Sequence, residues 1–243
     1  MAGMKYSLTI LLLLTAFPLS AATIIEAIGK AYDLKSGQPV YIETHIIQIN
    51  KPTKINKLIV AMPLSDQVTY ASPDGKVFAT KTVDYGTTPL TPKVVFNNLK
   101  FNQRESVFIQ SNNVVILHEE DNQRQQHQLP LKSDLVIDAG FDTFIRKHWA
   151  SLLANKTHRF EFLSISETST YAFKVKKSNE DTKTVAFTMT LDSFIGGLFI
   201  DPIIITYEKK EHKLLTYQGL TNIPKDKDSN FSAKIIYTYK EKP

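Results

Sequence analysis

Glu43 and His45 stand two apart in Val40-Tyr-Ile-Glu-Thr-His-Ile-Ile47, so on a β-strand both side chains leave the same face. A carboxylate beside an imidazole is the smallest unit of general-base chemistry. No nucleophile accompanies the pair at a recognisable spacing, and polar contacts of this kind are also ordinary sheet structure. His118-Glu119-Glu120-Asp121 is the densest local group of metal-ligating types. Successive strand residues point to opposite faces, so the four cannot converge on one ion without a turn, and the run reads as a charged strand end. His148 and the only tryptophan, Trp149, are adjacent in a helical stretch. There Trp149 suits either a core anchor or a ring on which a ligand stacks. Asp142 and Arg146, four apart on that helix, can pair across one turn.

The absent chemistries narrow the function more than the present ones. The chain has no Gly-x-Ser-x-Gly elbow, no Gly-x-x-x-x-Gly-Lys phosphate loop, no Gly-x-Gly-x-x-Gly and no His-Glu-x-x-His. With no cysteine it also lacks thiolates for catalysis or metal binding, disulfides, and a lipid-modified cysteine. The expectation is a protein without cofactor, metal site or catalytic residues, and with no enzymatic activity. A hydrolase with an unrecognised site, built around Glu43 or His45, is the third-ranked reading.

The elements that must carry these residues are mostly strands. Short alternating runs rich in Val, Ile, Thr, Phe and Tyr recur between polar turns, such as Pro73-Asp74-Gly75, where proline presets φ and glycine tolerates φ > 0. Ile203 to Tyr207 and Leu214 to Tyr217 form a further hairpin across a charged link. Gln123 to Gln128, the most polar stretch, reads as a long hairpin loop. Between Asp138 and Leu153 the pattern changes: Phe141, Phe144, Ile145, Trp149, Leu152 and Leu153 recur at three and four residues, one face of an amphipathic helix over about 139–154, with Asp138 as its N-cap. Ser193 to Ile200 is a second apolar piece, a helical turn or a loop plugging one end of the sheet. The fold class expected is mainly β, a curved antiparallel sheet or incomplete β-barrel with that one helix packed on it.

Export is read from the first residues. Lys5, the apolar Ser7 to Phe17 and the small residues of Pro18-Leu-Ser-Ala-Ala22 form a secretory signal peptide, cleaved after Ala21 or Ala22. The apolar run is well short of the roughly 20 residues of a spanning helix, so no transmembrane anchor is expected after cleavage. Residues 23–243 then form a single β-rich domain, which at this length needs no disulfides to be stable. A cysteine-free exported chain suits the bacterial periplasm. The formal charge is +5, but Lys174 to Lys177 and Lys209 to Lys213 have acids within or near them and read as solvated faces. Nucleic acid is not an expected partner, and a monomer is expected.

Gly29-Lys-Ala-Tyr-Asp33, Asp138-Ala-Gly-Phe-Asp142, Asp201-Pro-Ile-Ile-Ile-Thr-Tyr207 and Leu214-Leu-Thr-Tyr-Gln-Gly-Leu-Thr-Asn222 together resemble an uncharacterised family of exported proteobacterial proteins. The resemblance spans most of the mature chain and implies the address without an activity. At the level of architecture alone, the chain is similar to the periplasmic lipoprotein carriers, whose sheet curls into an unclosed barrel around apolar ligand. The functional expectation is non-enzymatic binding of an apolar or lipid-like envelope component between sheet and helix, with Phe144, Trp149, Phe194 and Phe199 as the lining. The alternative is an envelope interaction or scaffolding protein that uses a sheet edge or aromatic face and has no cavity.

Overall fold

The computed structural model describes residues 23–50, 53–55, 58–60, 63–192 and 201–242. The expected signal peptide and the Ser193 to Ile200 piece, with Phe194 and Phe199, lie outside the described residues. The strands are β1 (Thr23–Asp33), β2 (Pro39–Ile49), β3 (Thr53–Ile55), β4 (Leu58–Val60), β5 (Pro63–Ala71), β6 (Val77–Asp84), β7 (Lys93–Asn98), β8 (Gln103–Gln110), β9 (Asn113–Glu120), β10 (Gln123–Pro130) and β11 (Leu135–Ile137). Two helices follow, α1 (Gly140–Lys147) and α2 (Trp149–Leu153). The chain then completes the sheet with β12 (His158–Ser164), β13 (Ser169–Glu180), β14 (Thr184–Leu191), β15 (Ile203–Glu208), β16 (Leu214–Pro224) and β17 (Asn230–Lys242).

One 15-stranded sheet runs in the order β10-β9-β8-β7-β6-β5-β2-β1-β17-β16-β15-β14-β13-β12-β11, while β3 and β4 pair apart from it. Its ladders are antiparallel except β11 with β12, so short turns join nearly all neighbours. The two ends, β10 and β11, share no ladder, so the sheet is open rather than a closed barrel. Packing nevertheless brings its ends together: Leu135, Ile137 and Leu163 from β11 and β12 join Val83, Val94, Val107 and Ile116 from β6 to β9 in one buried cluster. The backbone of Ile137 also donates to the Leu90 carbonyl in the β6–β7 connection at 2.9 Å.

The helical stretch packs into a second cluster, and a third gathers Tyr41, Val68, Tyr70, Phe96 and Ile235. Phe144, Ile145, Trp149 and Leu152 pack on Phe160, Phe173, Phe187, Met189 and Tyr207 from β12 to β15. Two details depart from the expected single, Asp138-capped helix. His148, at φ −99° and ψ 11°, divides the segment into α1 and α2. Ala139 is the N-cap of α1, without a side-chain capping bond, because the Asp138 carboxylate is turned toward Lys81 instead. Gly140 lets this start dock: a Cβ there would lie 2.2 Å from the Leu90 carbonyl oxygen.

Gln123 to Gln128 is a strand and not the loop expected from its polarity. Asp121 and Asn122, at φ 48° and 65°, form a two-residue turn of the kind whose twist matches a hairpin. Their turn hands β10 directly back onto β9, with Gln123 opposite Glu120 and Leu129 opposite Val114.

Candidate functional site

Side-chain alternation and ladder register bring a line of residues onto one face of the sheet. Tyr239 on β17 lies opposite Ala27, which lies opposite His45, then Val68, Lys81, Phe96, Glu105 and His118 on successive strands. The neighbouring line runs from Tyr237 through Gly29 and Glu43 to Tyr70. Gly29 has a specific reason to lack a side chain: a Cβ would stand 2.7 Å from Glu43 Cγ and 2.9 Å from Ile235 Cγ2. The glycine opens the space into which Glu43 folds.

Glu43 and His45 are together on one face, as expected, but a third group that the sequence did not reveal controls them. His45 Nδ1 lies 2.7 Å from Asp66 Oδ2, and its Nε2 lies 3.3 Å from Glu43 Oε1. Burial by itself would lower the imidazole's pKa. The charge and hydrogen bond of Asp66, joined by Glu43, outweigh that and raise it to about 10. At neutral pH His45 is therefore an imidazolium held between two carboxylates and has no lone pair with which to act as a base. Glu43 and Asp66 are themselves buried.

A second buried pair ties opposite walls. Lys81 Nζ donates to both Asp138 oxygens at 3.0 Å, while Asn222 on β16 donates to Oδ2 at 2.5 Å and the Ala139 backbone to Oδ1 at 2.7 Å. Asp138 takes a positive φ of 45° to present its carboxylate there. On α1 Asp142 accepts from Arg146 at 2.7 Å, the expected helical pair, and from the Tyr207 hydroxyl at 2.8 Å. Burial pushes the phenols of Tyr41, Tyr70, Tyr85, Tyr207 and Tyr237 well above their ordinary range, so they serve as neutral hydroxyls.

Phe144 and Trp149 are core residues, 6% and 4% exposed. Trp149 stacks on His212 at 3.8 Å and meets Phe187 and Tyr207 edge-on, so the helix–sheet interface around it is filled. Partly exposed aromatic residues elsewhere include Phe141, Tyr217, Phe231, Tyr237 and Tyr239. His118 and Glu120 share a face while Glu119 takes the other, opposite Arg104 and Arg124, as strand alternation requires. A Ser–His contact lies near α2, Ser151 Oγ to His158 Nε2 at 2.6 Å, but Ser151 also donates to the His148 carbonyl at 2.8 Å. That hydroxyl proton is committed to backbone.

A hollow of about 340 Å³ is lined by Leu34, Asp201, Pro202, Gln218, Gly219, Leu220 and Ser232. Among the described residues no group of three or more His, Asp or Glu side chains is gathered to hold a metal ion. Nor is any described helix long and apolar enough to cross a membrane.

No protein-family model matches the chain, and no curated protein matches it. Among solved structures it is similar to the crystal structure of a β-barrel-like protein of a domain of unknown function, DUF1849, from Brucella abortus. The TM-score is 0.50 at 10% identity, over 91% of this chain and 98% of that one, a likeness of fold alone.

Proposed function

We propose that the protein is an exported, non-enzymatic binding protein of the bacterial periplasm that holds a lipid-like envelope component on the concave face of its open barrel. The observation that carries this reading is a group of aromatic side chains, Phe141, Tyr217, Phe231, Tyr237 and Tyr239, each of which keeps partial exposure, the first four while packing against the buried clusters. Their ring faces suit apolar chains, while the hydroxyls of Tyr217 and Tyr239 donate to the Leu220 and Leu214 carbonyls and hold the rings in place. The open seam between β10 and β11 supports entry. Widening it disrupts side-chain packing and the Ile137–Leu90 bond, without dismantling a ladder. The protonated state of His45 argues against the hydrolase reading. Phe144 and Trp149 act as the packed floor under the ligand in this proposal, and the partly exposed aromatic group is the lining.

An envelope interaction protein is the second reading, favoured by β10. Gln123 to Gln128 are exposed, and β10 ladders only with β9, leaving one edge for a partner strand.

Native mass spectrometry of tag-free protein released from periplasm tests both. The expected spectrum shows a chain beginning at Ala22 or Thr23 with a lipid-sized adduct that organic extraction removes. A bare chain that also fails to bind an environment-sensitive apolar fluorophore saturably overturns the ligand reading.

A further inference from the structure

Glu105, His118 and His127 come from β8, β9 and β10 and lie on one face of the sheet. Glu105 is directly opposite His118, and His127 is opposite Ile116, one diagonal step away. His118 Nδ1 is 3.4 Å from Glu105 Oε1, while its Nε2 is shut off from solvent and has no hydrogen-bond partner. A carboxylate at one ring nitrogen fixes the tautomer and leaves the other nitrogen's lone pair free, which is how metal-bound histidines are commonly oriented. The ring centres of His118 and His127 are 5.8 Å apart at a steep 71°. With metal–nitrogen bonds of ~2.0–2.1 Å, two imidazoles on one tetrahedral ion have centres roughly 5–6 Å apart. His127 is exposed, so the pair stands at the solvent side of the sheet edge.

We infer that His118 Nε2 and His127 bind one divalent transition-metal ion, of the zinc or copper class that imidazole favours, with Glu105 as the positioning residue. The other histidines do not offer this arrangement. His148 and His158 stack at 4.1 Å and 30°, so their in-plane lone pairs run side by side, and His158 Nε2 is already engaged by Ser151. His45 lies between two carboxylates, and His212 lies flat on Trp149.

The test titrates the tag-free mature protein with Zn²⁺ by calorimetry and with Cu²⁺ by electron paramagnetic resonance. The expected result is one equivalent bound, with a two-nitrogen hyperfine pattern for copper. His127→Gln, an exposed change at the sheet edge, should abolish the two-nitrogen signal and the metal-induced rise in melting temperature while leaving the metal-free melt unchanged. Glu105→Gln should weaken binding by about 10- to 100-fold, the range for loss of a group that orients a ligand. His158→Gln should change neither. Absence of stoichiometric uptake, binding that survives His127→Gln, or binding lost in His158→Gln overturns the assignment.

Discussion

The charge state of His45 sets a testable pH dependence of stability. Its pKa is 6.5 when unperturbed and about 10 in the folded protein. Below pH 6.5 the imidazole is protonated in both folded and unfolded chains, and the stabilisation from Asp66 and Glu43 is fully present. Above that the unfolded chain releases its proton while the folded one retains it, so stability falls as pH rises and the contribution is gone beyond about 10. At about 1.4 kcal/mol per pH unit, the decline from pH ~6.5 to ~9.5 amounts to about 4 kcal/mol. Stopping near pH 9.5 keeps the buried tyrosines out of the measurement, since burial holds their pKa values above 10. His148, His158 and His212 titrate in the opposite sense: burial lowers their pKa values, so they cost stability only as pH falls. Urea denaturation at half-unit intervals, with imidazole NMR to follow His45 directly, makes the measurement. Asp66→Asn should remove most of the slope, leaving only the part due to Glu43. A flat profile in the wild type, an equal slope in Asp66→Asn, or a His45 resonance titrating near its unperturbed pKa would refute the reasoning.

Lys81→Met strands the buried Asp138 carboxylate and should cost about 3–5 kcal/mol in chemical denaturation, with Asp138→Asn in the same chain recovering part of it. Gly29→Ala should destabilise by about 1–3 kcal/mol, because the new Cβ meets Glu43 and Ile235 at under 3 Å. It should also lower the His45 pKa measured by NMR by displacing Glu43, and an unshifted pKa would count against that contact.

Strand alternation, the turn at Pro73-Asp74-Gly75 and the three-and-four spacing of Phe141 to Leu153 were legible because each depends on residues close in the chain. Glu43 and His45 were legible as a pair for the same reason. Asp66 was not: it is 21 positions from His45, and only the β2–β5 register places it at the imidazole. β10 was missed because its residues carry no apolar alternation. It is held by the Asp121-Asn122 turn and by a ladder to β9, whose other side is already paired with β8. Asp138 suited a cap by type and position, but Lys81, 57 positions away, offers a buried cation that a helix terminus does not match.

By itself, then, the chain's pattern determined a mainly β protein of antiparallel hairpins with one amphipathic helical segment. Those features arise from local sterics and from periodicities of two and 3.6 residues. Tertiary structure alone decided that the sheet stays open while its ends pack together, and that His45 is a cation instead of a base. It also decided that Trp149 packs in the core while Tyr217, Tyr237 and Tyr239 retain exposure. Each of these depends on registers compounded across many strands and on charges brought together from distant positions, where burial strengthens their interaction.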